Sequence, residues 1–159
     1  MPRSYWVETL GCPKNQVDSD KLTGTMLADG LVPADSADAA DLVVVNTCAF
    51  VEEAREESIA TILAIDDLRA EGSKLVVTGC MAERYGDELA AALPEVDEVS
   101  GFGIPVTLGT KPSGPLAVAA EAVPSLDLLN LPRPRSERPW AYVKVAEGCD
   151  KACGFCAIP

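Results

Sequence analysis

Leu42-Val43-Val44-Val45-Asn46-Thr47-Cys48 is the stretch on which the reading of this chain turns. Four consecutive apolar residues, mostly β-branched and without polar alternation, suit a strand covered on both faces, the position of an inner strand in a parallel sheet. The strand is expected over Leu42–Val45, and Asn46-Thr47-Cys48 carries the chain off its end. The same arrangement recurs on either side. Ser4–Thr9 reads as a strand and runs into a Gly11-Cys12-Pro13 turn; Lys74–Thr78 reads as a strand and runs into Gly79-Cys80. Between them lie helical segments. Asp18–Asp29 carries Leu22, Met26 and Leu27 at helical spacing and stops at Gly30. Glu52–Ala70 places Ile59, Ile62 and Leu63 on one face and stops at Gly72. Glu83–Leu93 is halted by Pro94, and Glu98–Ser100 makes a short further strand.

Strands alternating with helices at these lengths imply βαβ crossovers. The expected fold is α/β: a parallel-sheet, Rossmann-like, three-layer domain over residues 1–104. In such sheets ligands sit outside the carboxyl ends of the strands. Cys12, Cys48 and Cys80 each follow a strand, so the fold brings three thiols to one rim. A single buried cysteine is ordinarily a small core residue; three in succession just past strand ends point to ligation instead.

Composition narrows the chemistry. The chain has 159 residues, 48% of them apolar and 24% charged, the balance of a globular protein with enough material for a core. Its formal net charge of −12 disfavours direct nucleic-acid binding by this stretch. There is no histidine, which excludes imidazole acid–base catalysis, Ser–His and Cys–His pairs and histidine metal ligands. No apolar run reaches the roughly 18 residues of a membrane span, and Met1–Cys12 lacks the apolar core of a signal peptide. A cytoplasmic location is therefore expected. There the six cysteines stay reduced, which argues for metal ligation over disulfides.

The chain changes character after residue 104. Seven of its twelve prolines lie between residues 103 and 139: Pro105, Pro112, Pro115, Pro124, Pro132, Pro134 and Pro139. Residues 105–139 read as a linker. Trp140–Glu147 alternates like the first strand of a new unit, 140–159, which stops three residues past the last cysteine. The sequence thus reads as the N-terminal part of a longer enzyme, inactive by itself. Cys149, Cys153 and Cys156 have the spacing C-x3-C-x2-C. Three thiolates so close suit three irons of a 4Fe–4S cube, with the fourth iron left open for a substrate or cofactor. A structural zinc site wants a fourth protein ligand that is missing here, and the bacterial ferredoxin spacing does not match.

C-x3-C-x2-C after a first strand, with Phe155 before the last cysteine, resembles the signature of the radical S-adenosylmethionine enzymes. Glu8–Asn15, Val17-Asp18-Ser19, Val45–Cys48 and Thr78-Gly79-Cys80 resemble the N-terminal domain of the methylthiotransferases within that superfamily. The resemblance implies two 4Fe–4S clusters, one held by Cys12, Cys48 and Cys80, the other by Cys149, Cys153 and Cys156. It implies S-adenosylmethionine bound at the second cluster, an incomplete radical (β/α) barrel beginning at residue 140, and an electron donor such as a flavodoxin. Gly11-Cys12-Pro13-Lys14-Asn15, Ala146-Glu147-Gly148-Cys149 and Cys156-Ala157-Ile158-Pro159 are similar to the branch that methylthiolates an aspartate β-carbon of ribosomal protein S12. That branch implies S12, or the small ribosomal subunit, as partner. The tRNA-modifying branch, which usually reads Gly-Cys-Gln-Met-Asn at the first cysteine, is the alternative; a non-enzymatic iron–sulfur redox module is another. Asn15, Asp18 and Asn46 fall near the same rim, where they either orient the cysteine site through hydrogen bonds or, for Asn15 and Asp18, cap the first helix.

Overall fold

The computed structural model describes residues 3–101, 106, 133–136, 138–146 and 148–158. Five strands form one sheet: β1 (Ser4–Thr9), β2 (Val32–Pro33), β3 (Leu42–Thr47), β4 (Lys74–Gly79) and β5 (Glu98–Val99). Their order is β2-β1-β3-β4-β5 and every pairing is parallel. Three helices connect them: α1 (Pro13–Ala28), α2 (Glu52–Leu68) and α3 (Cys80–Ala92).

The sheet has two apolar faces because β3 and β4 are central. Val43, Val45, Leu75 and Val77 point to one face and pack with Ile62 and Ile65 of α2 and Leu89 of α3. Leu42, Val44 and Val76 point to the other and pack with Tyr5 and with Met26 of α1. This is the three-layer arrangement expected for an uninterrupted apolar run, since alternate residues of one strand serve opposite layers. The register is level across the three inner strands: Thr9 sits opposite Asn46, and Asn46 opposite Thr78. The chain therefore leaves β1, β3 and β4 at one edge.

Element boundaries differ from the sequence reading at the ends that matter. α1 starts at Pro13, five residues before the expected start, because proline at the first helical turn supplies a preset φ and lacks only an N–H that has no helical partner. α3 starts at Cys80 rather than Glu83. β2 and a 3-10 turn at Ala37–Ala39 were not expected; both are shorter than a periodicity signal. The face of α2 also needs correction. Ile62 is fully buried, but Ile59 and Leu63 are 38% and 40% exposed, and the stripe against the sheet is Ser58, Ile62 and Ile65.

The strand expected at Trp140–Glu147 is not formed over its described residues, Trp140–Ala146. Val143 and Val145 are 82% and 94% exposed, so among the described residues the alternating pattern packs on no sheet. The segment is instead tied to α1: Lys144 Nζ lies 2.5 Å from Asp18 Oδ1, and Arg133, 2.6 Å from Asp20 Oδ2, also donates to the Tyr142 carbonyl at 2.9 Å. Most of the expected linker 105–139 lies outside the described residues, including Pro105, Pro112, Pro115, Pro124 and Pro132, as do the boundary at residue 104, Glu147 and Pro159. Among the described residues no helix is long and apolar enough to cross a membrane.

Candidate functional site

Strand order 2-1-3-4-5 reverses direction between β1 and β3, and the crevice outside the carboxyl ends at such a switch point is where doubly wound sheets bind ligands. Cys12 follows β1 and is the residue before the first turn of α1; Cys48 follows β3; Cys80 follows β4 as the first residue of α3. Cys12 is exposed, while Cys48 and Cys80 are buried. Cys80 feels the charge of both other cysteines. Its thiol is pushed up from the ordinary range, mainly by burial, with Lys14 opposing the shift and Cys48 and Cys12 adding to it. The Lys14 ammonium stands 3.9 Å from the Cys80 sulfur and 3.6 Å from Asp18 Oδ2.

Two glycines make room at this edge. Gly11 has φ +87°, and a Cβ there would lie 2.7 Å from both Cβ and Sγ of Cys48. Gly79 has φ +95°, and a Cβ there would lie 2.6 Å from the Thr47 carbonyl oxygen. Both sites need a backbone conformation that L side chains rarely adopt and a space that a methyl group would fill.

Beneath the cysteines lies a buried polar layer. Asn15 Nδ2 donates to the Leu10 carbonyl at 2.8 Å and to the Thr47 carbonyl at 2.9 Å. Asn46 Nδ2 donates to the Asn15 carbonyl at 2.9 Å and to Ser19 Oγ at 3.0 Å, and Thr9 Oγ1 donates to Ser19 Oγ at 2.7 Å. Thr47 Oγ1 donates to the Thr78 carbonyl at 2.6 Å. Ser58, reaching up from α2, accepts from the Cys48 N–H at 3.1 Å. Neither Asn15 nor Asp18 caps α1: the capping position is Cys12, and no side-chain capping bond is made there.

The second set of cysteines lies against the same edge. Cys149 and Cys153 are exposed and Cys156 is half-buried. The Ala157 N–H donates to the Phe50 carbonyl at 3.0 Å, and the Phe50 and Phe155 rings meet edge-on with centroids 6.3 Å apart. Phe50 lies two residues beyond Cys48, so the C-x3-C-x2-C loop is seated next to the exit of β3. Arg84 of α3 lines one open cleft together with Cys149, Cys153 and Cys156. Among the described residues, no three Cys, Asp or Glu side chains converge to hold a single metal ion.

Residues 4–101 match the model of the family described as Uncharacterized protein family UPF0004. The chain belongs to that family. Within UPF0004 the match spans the whole sheet, from β1 through β5, and all of the first cysteine set. The chain is also similar to proteins named ribosomal protein uS12 methylthiotransferase RimO. It is 42% identical to that of Myxococcus xanthus, with 99% of this chain aligned to 34% of the relative. It is 45% identical to that of Desulfitobacterium hafniense over 96% of the chain and 36% of the relative. For Kineococcus radiotolerans the identity is 42%, over 99% of the chain and 40% of the relative. The chain thus spans about a third of the length of these relatives.

Two residues at this UPF0004 site were not assigned a place there from sequence. Ser58 carried no signal, because a serine in mid-helix reads as a surface residue until the helix is docked. Lys14 enters the sequence reading only within Gly11-Cys12-Pro13-Lys14-Asn15; its approach to Cys80 depends on α1 beginning at Pro13.

Proposed function

We propose that this chain holds two 4Fe–4S clusters and belongs to a methylthiotransferase that acts, with S-adenosylmethionine, on an aspartate β-carbon of ribosomal protein S12. The observation that carries the reading is the placement of Cys12, Cys48 and Cys80 at one sheet edge, with the Cys149–Cys156 loop seated beside them at Phe50. The names of the relatives favour the same substrate.

The donor set fits the clusters. A four-iron cube takes each thiolate on a different iron, so its ligands stay spread apart rather than converging on one point as those of a single ion must. Three cysteines and no histidine are the donors such a cube uses. Cys12, Cys48 and Cys80 would hold one cluster, and Cys149, Cys153 and Cys156 the other, with S-adenosylmethionine at its open iron. Reduced iron–sulfur chemistry with S-adenosylmethionine supplies a radical able to take hydrogen from an unactivated carbon, which acid–base groups at neutral pH do not do.

The chain's own residues bind, orient and shield. Gly11 lets the Cys48 side chain, and Gly79 the Thr47 backbone, approach where a Cβ would clash, and burial of Cys48 and Cys80 keeps water from two of the thiols. Lys14 places a positive charge beside Cys80, which favours the thiolate that iron requires over the protonated thiol that burial favours. The partners that the family resemblance implies are ribosomal protein S12, or the small ribosomal subunit, and an electron donor such as a flavodoxin; the net charge of −12 disfavours direct nucleic-acid binding by this stretch itself.

Anaerobic reconstitution of a variant lacking Cys149, Cys153 and Cys156 should load about four irons per chain, and Cys48→Ala in that background should abolish loading. Zinc without iron would refute the cluster assignment. The substrate is tested by the intact mass of S12, with tRNA nucleosides measured alongside, from cells with and without the gene. Loss of one methylthio increment from S12 with unchanged tRNA is expected; the reverse would move the activity to tRNA.

A further inference from the structure

We infer that Asn15 is a positioning residue that ties the three cysteine loops into one unit, an inference that rests on the cluster reading above. Asn15 is fully buried. Its two N–H bonds go to carbonyls on different loops: Leu10, two residues before Cys12, and Thr47, next to Cys48. Those two acceptors fix which way the amide points, because an oxygen in the place of Nδ2 would face two carbonyl oxygens. The amide oxygen is thereby turned toward the third loop, where the Cys80 thiol donates to it at 3.7 Å. One side chain thus contacts the exits of β1, β3 and β4. Its own backbone carbonyl is held by Asn46 Nδ2, so the side chain at the centre is itself anchored by β3.

The two amide bonds and the thiol bond have different fates. When Cys80 binds iron its thiol proton leaves, and the bond to Asn15 goes with it. The bonds to Leu10 and Thr47 involve no ligand atom and persist. In the metal-free chain Asn15 therefore holds all three loops, and in the loaded chain it fixes the spacing between the Cys12 and Cys48 loops. Groups bonded directly to metal ligands commonly affect affinity by about 10–100-fold; acting through the Leu10 and Thr47 carbonyls, Asn15 is expected at the low end, about 10-fold.

The test uses the full chain with Cys149, Cys153 and Cys156 replaced by alanine, so that only the first cysteine set loads. Asn15→Ala and the milder Asn15→Ser are compared with Val17→Ala, a buried apolar truncation on the same helix that touches none of these bonds. Three readouts are taken: iron loss to a chelator, the electron paramagnetic resonance line shape of the reduced cluster, and alkylation rates of Cys48 and Cys80 in the metal-free chain. Both Asn15 variants should lose iron about 10-fold faster, change the line shape and alkylate faster. Val17→Ala should match the parent in all three even if its melting temperature falls. Parent-like iron retention and line shape in Asn15→Ser, or equal effects from Val17→Ala, would overturn the inference. If the parent itself loads no iron, the cluster reading fails. Alkylation then decides the tie alone: faster in the Asn15 variants supports it, unchanged refutes it.

Discussion

Arg69 shows how a single side chain closes one end of the sheet. It follows α2 and reaches Asp66 at 2.8 Å, Asp97 at 2.6 Å and the carbonyls of Ser73 and Glu95. Asp97 also accepts from the Leu75 N–H at 2.7 Å, at the point where β4 begins. Partial burial pushes the Asp97 carboxyl up, but the Leu75 N–H and the Arg69 guanidinium outweigh it and hold the group below the ordinary carboxylate range. A depressed folded pKa stabilises the fold above the unfolded value of about 3.9, and the contribution is lost as pH falls through the folded value. Denaturant titrations between pH 2 and 7 should show the chain losing stability below about pH 4. Asp97→Asn should flatten that part of the curve. The effect should be under about 1 kcal/mol, because nearly half of the side chain is open to solvent. An acid limb identical in the variant would assign the loss to other carboxylates.

At the scale of elements, the inner strands were legible and the helix faces were not fully so. Leu42–Val45 announces itself because a strand covered on both faces reads as a continuous apolar run, and the buried Asn46 and Thr47 that end β3 are accommodated by hydrogen bonds. α2 is less transparent, since Ile59, Ile62 and Leu63 are all apolar and sequence alone cannot say which of two adjacent stripes meets the sheet. The structure buries Ile62 and leaves the other two at the margin. Ile62→Ala should therefore cost about 2–5 kcal/mol, and Leu63→Ala under about 1 kcal/mol, by urea unfolding. Equal losses would mean that the helix is rotated toward the face expected from sequence. The early start of α1 has a larger consequence for the site. Extending the helix back to Pro13 brings Lys14 beside Cys80, a placement that the spacing of Leu22, Met26 and Leu27 gave no means of seeing; it puts Asn15, which the sequence already places near the rim, against the Leu10 and Thr47 carbonyls instead of at a helix cap.

Across the whole molecule, the contacts that join the C-terminal segment to the sheet edge and α1 among the described residues include the Phe50–Phe155 pair, the Ala157 N–H bond, and the Lys144 and Arg133 ion pairs. Phe50 is itself 43% exposed, so this is a light attachment rather than a shared core. An edge-on aromatic pair contributes about 0.5–1.5 kcal/mol, and less where water reaches it. Phe50→Ala should speed hydrogen exchange or proteolysis in residues 148–158 by up to about 10-fold, while the amides of β3 and β4 keep their protection. Unchanged exchange in the loop would mean that the Ala157 N–H bond and the ion pairs seat it without the ring pair.

The sequence by itself determined four of the five strands, their parallel sense and the arrival of three cysteines at one edge. Those features follow from local pattern: an unbroken apolar run, glycine at the exits, and helices of crossover length. It also made the C-x3-C-x2-C spacing visible, because neighbouring ligands on one loop are close whatever the fold. Only the tertiary structure decided that the strand order reverses between the first two cysteine loops. It alone decided that Asn15 binds all three exits rather than capping its helix, and that Trp140–Ala146 remains unpaired. Each of these turns on a partner more than thirty residues away, as Thr47 and Cys80 are from Asn15, or on there being no neighbouring strand among the described residues, and neither leaves a trace in local periodicity.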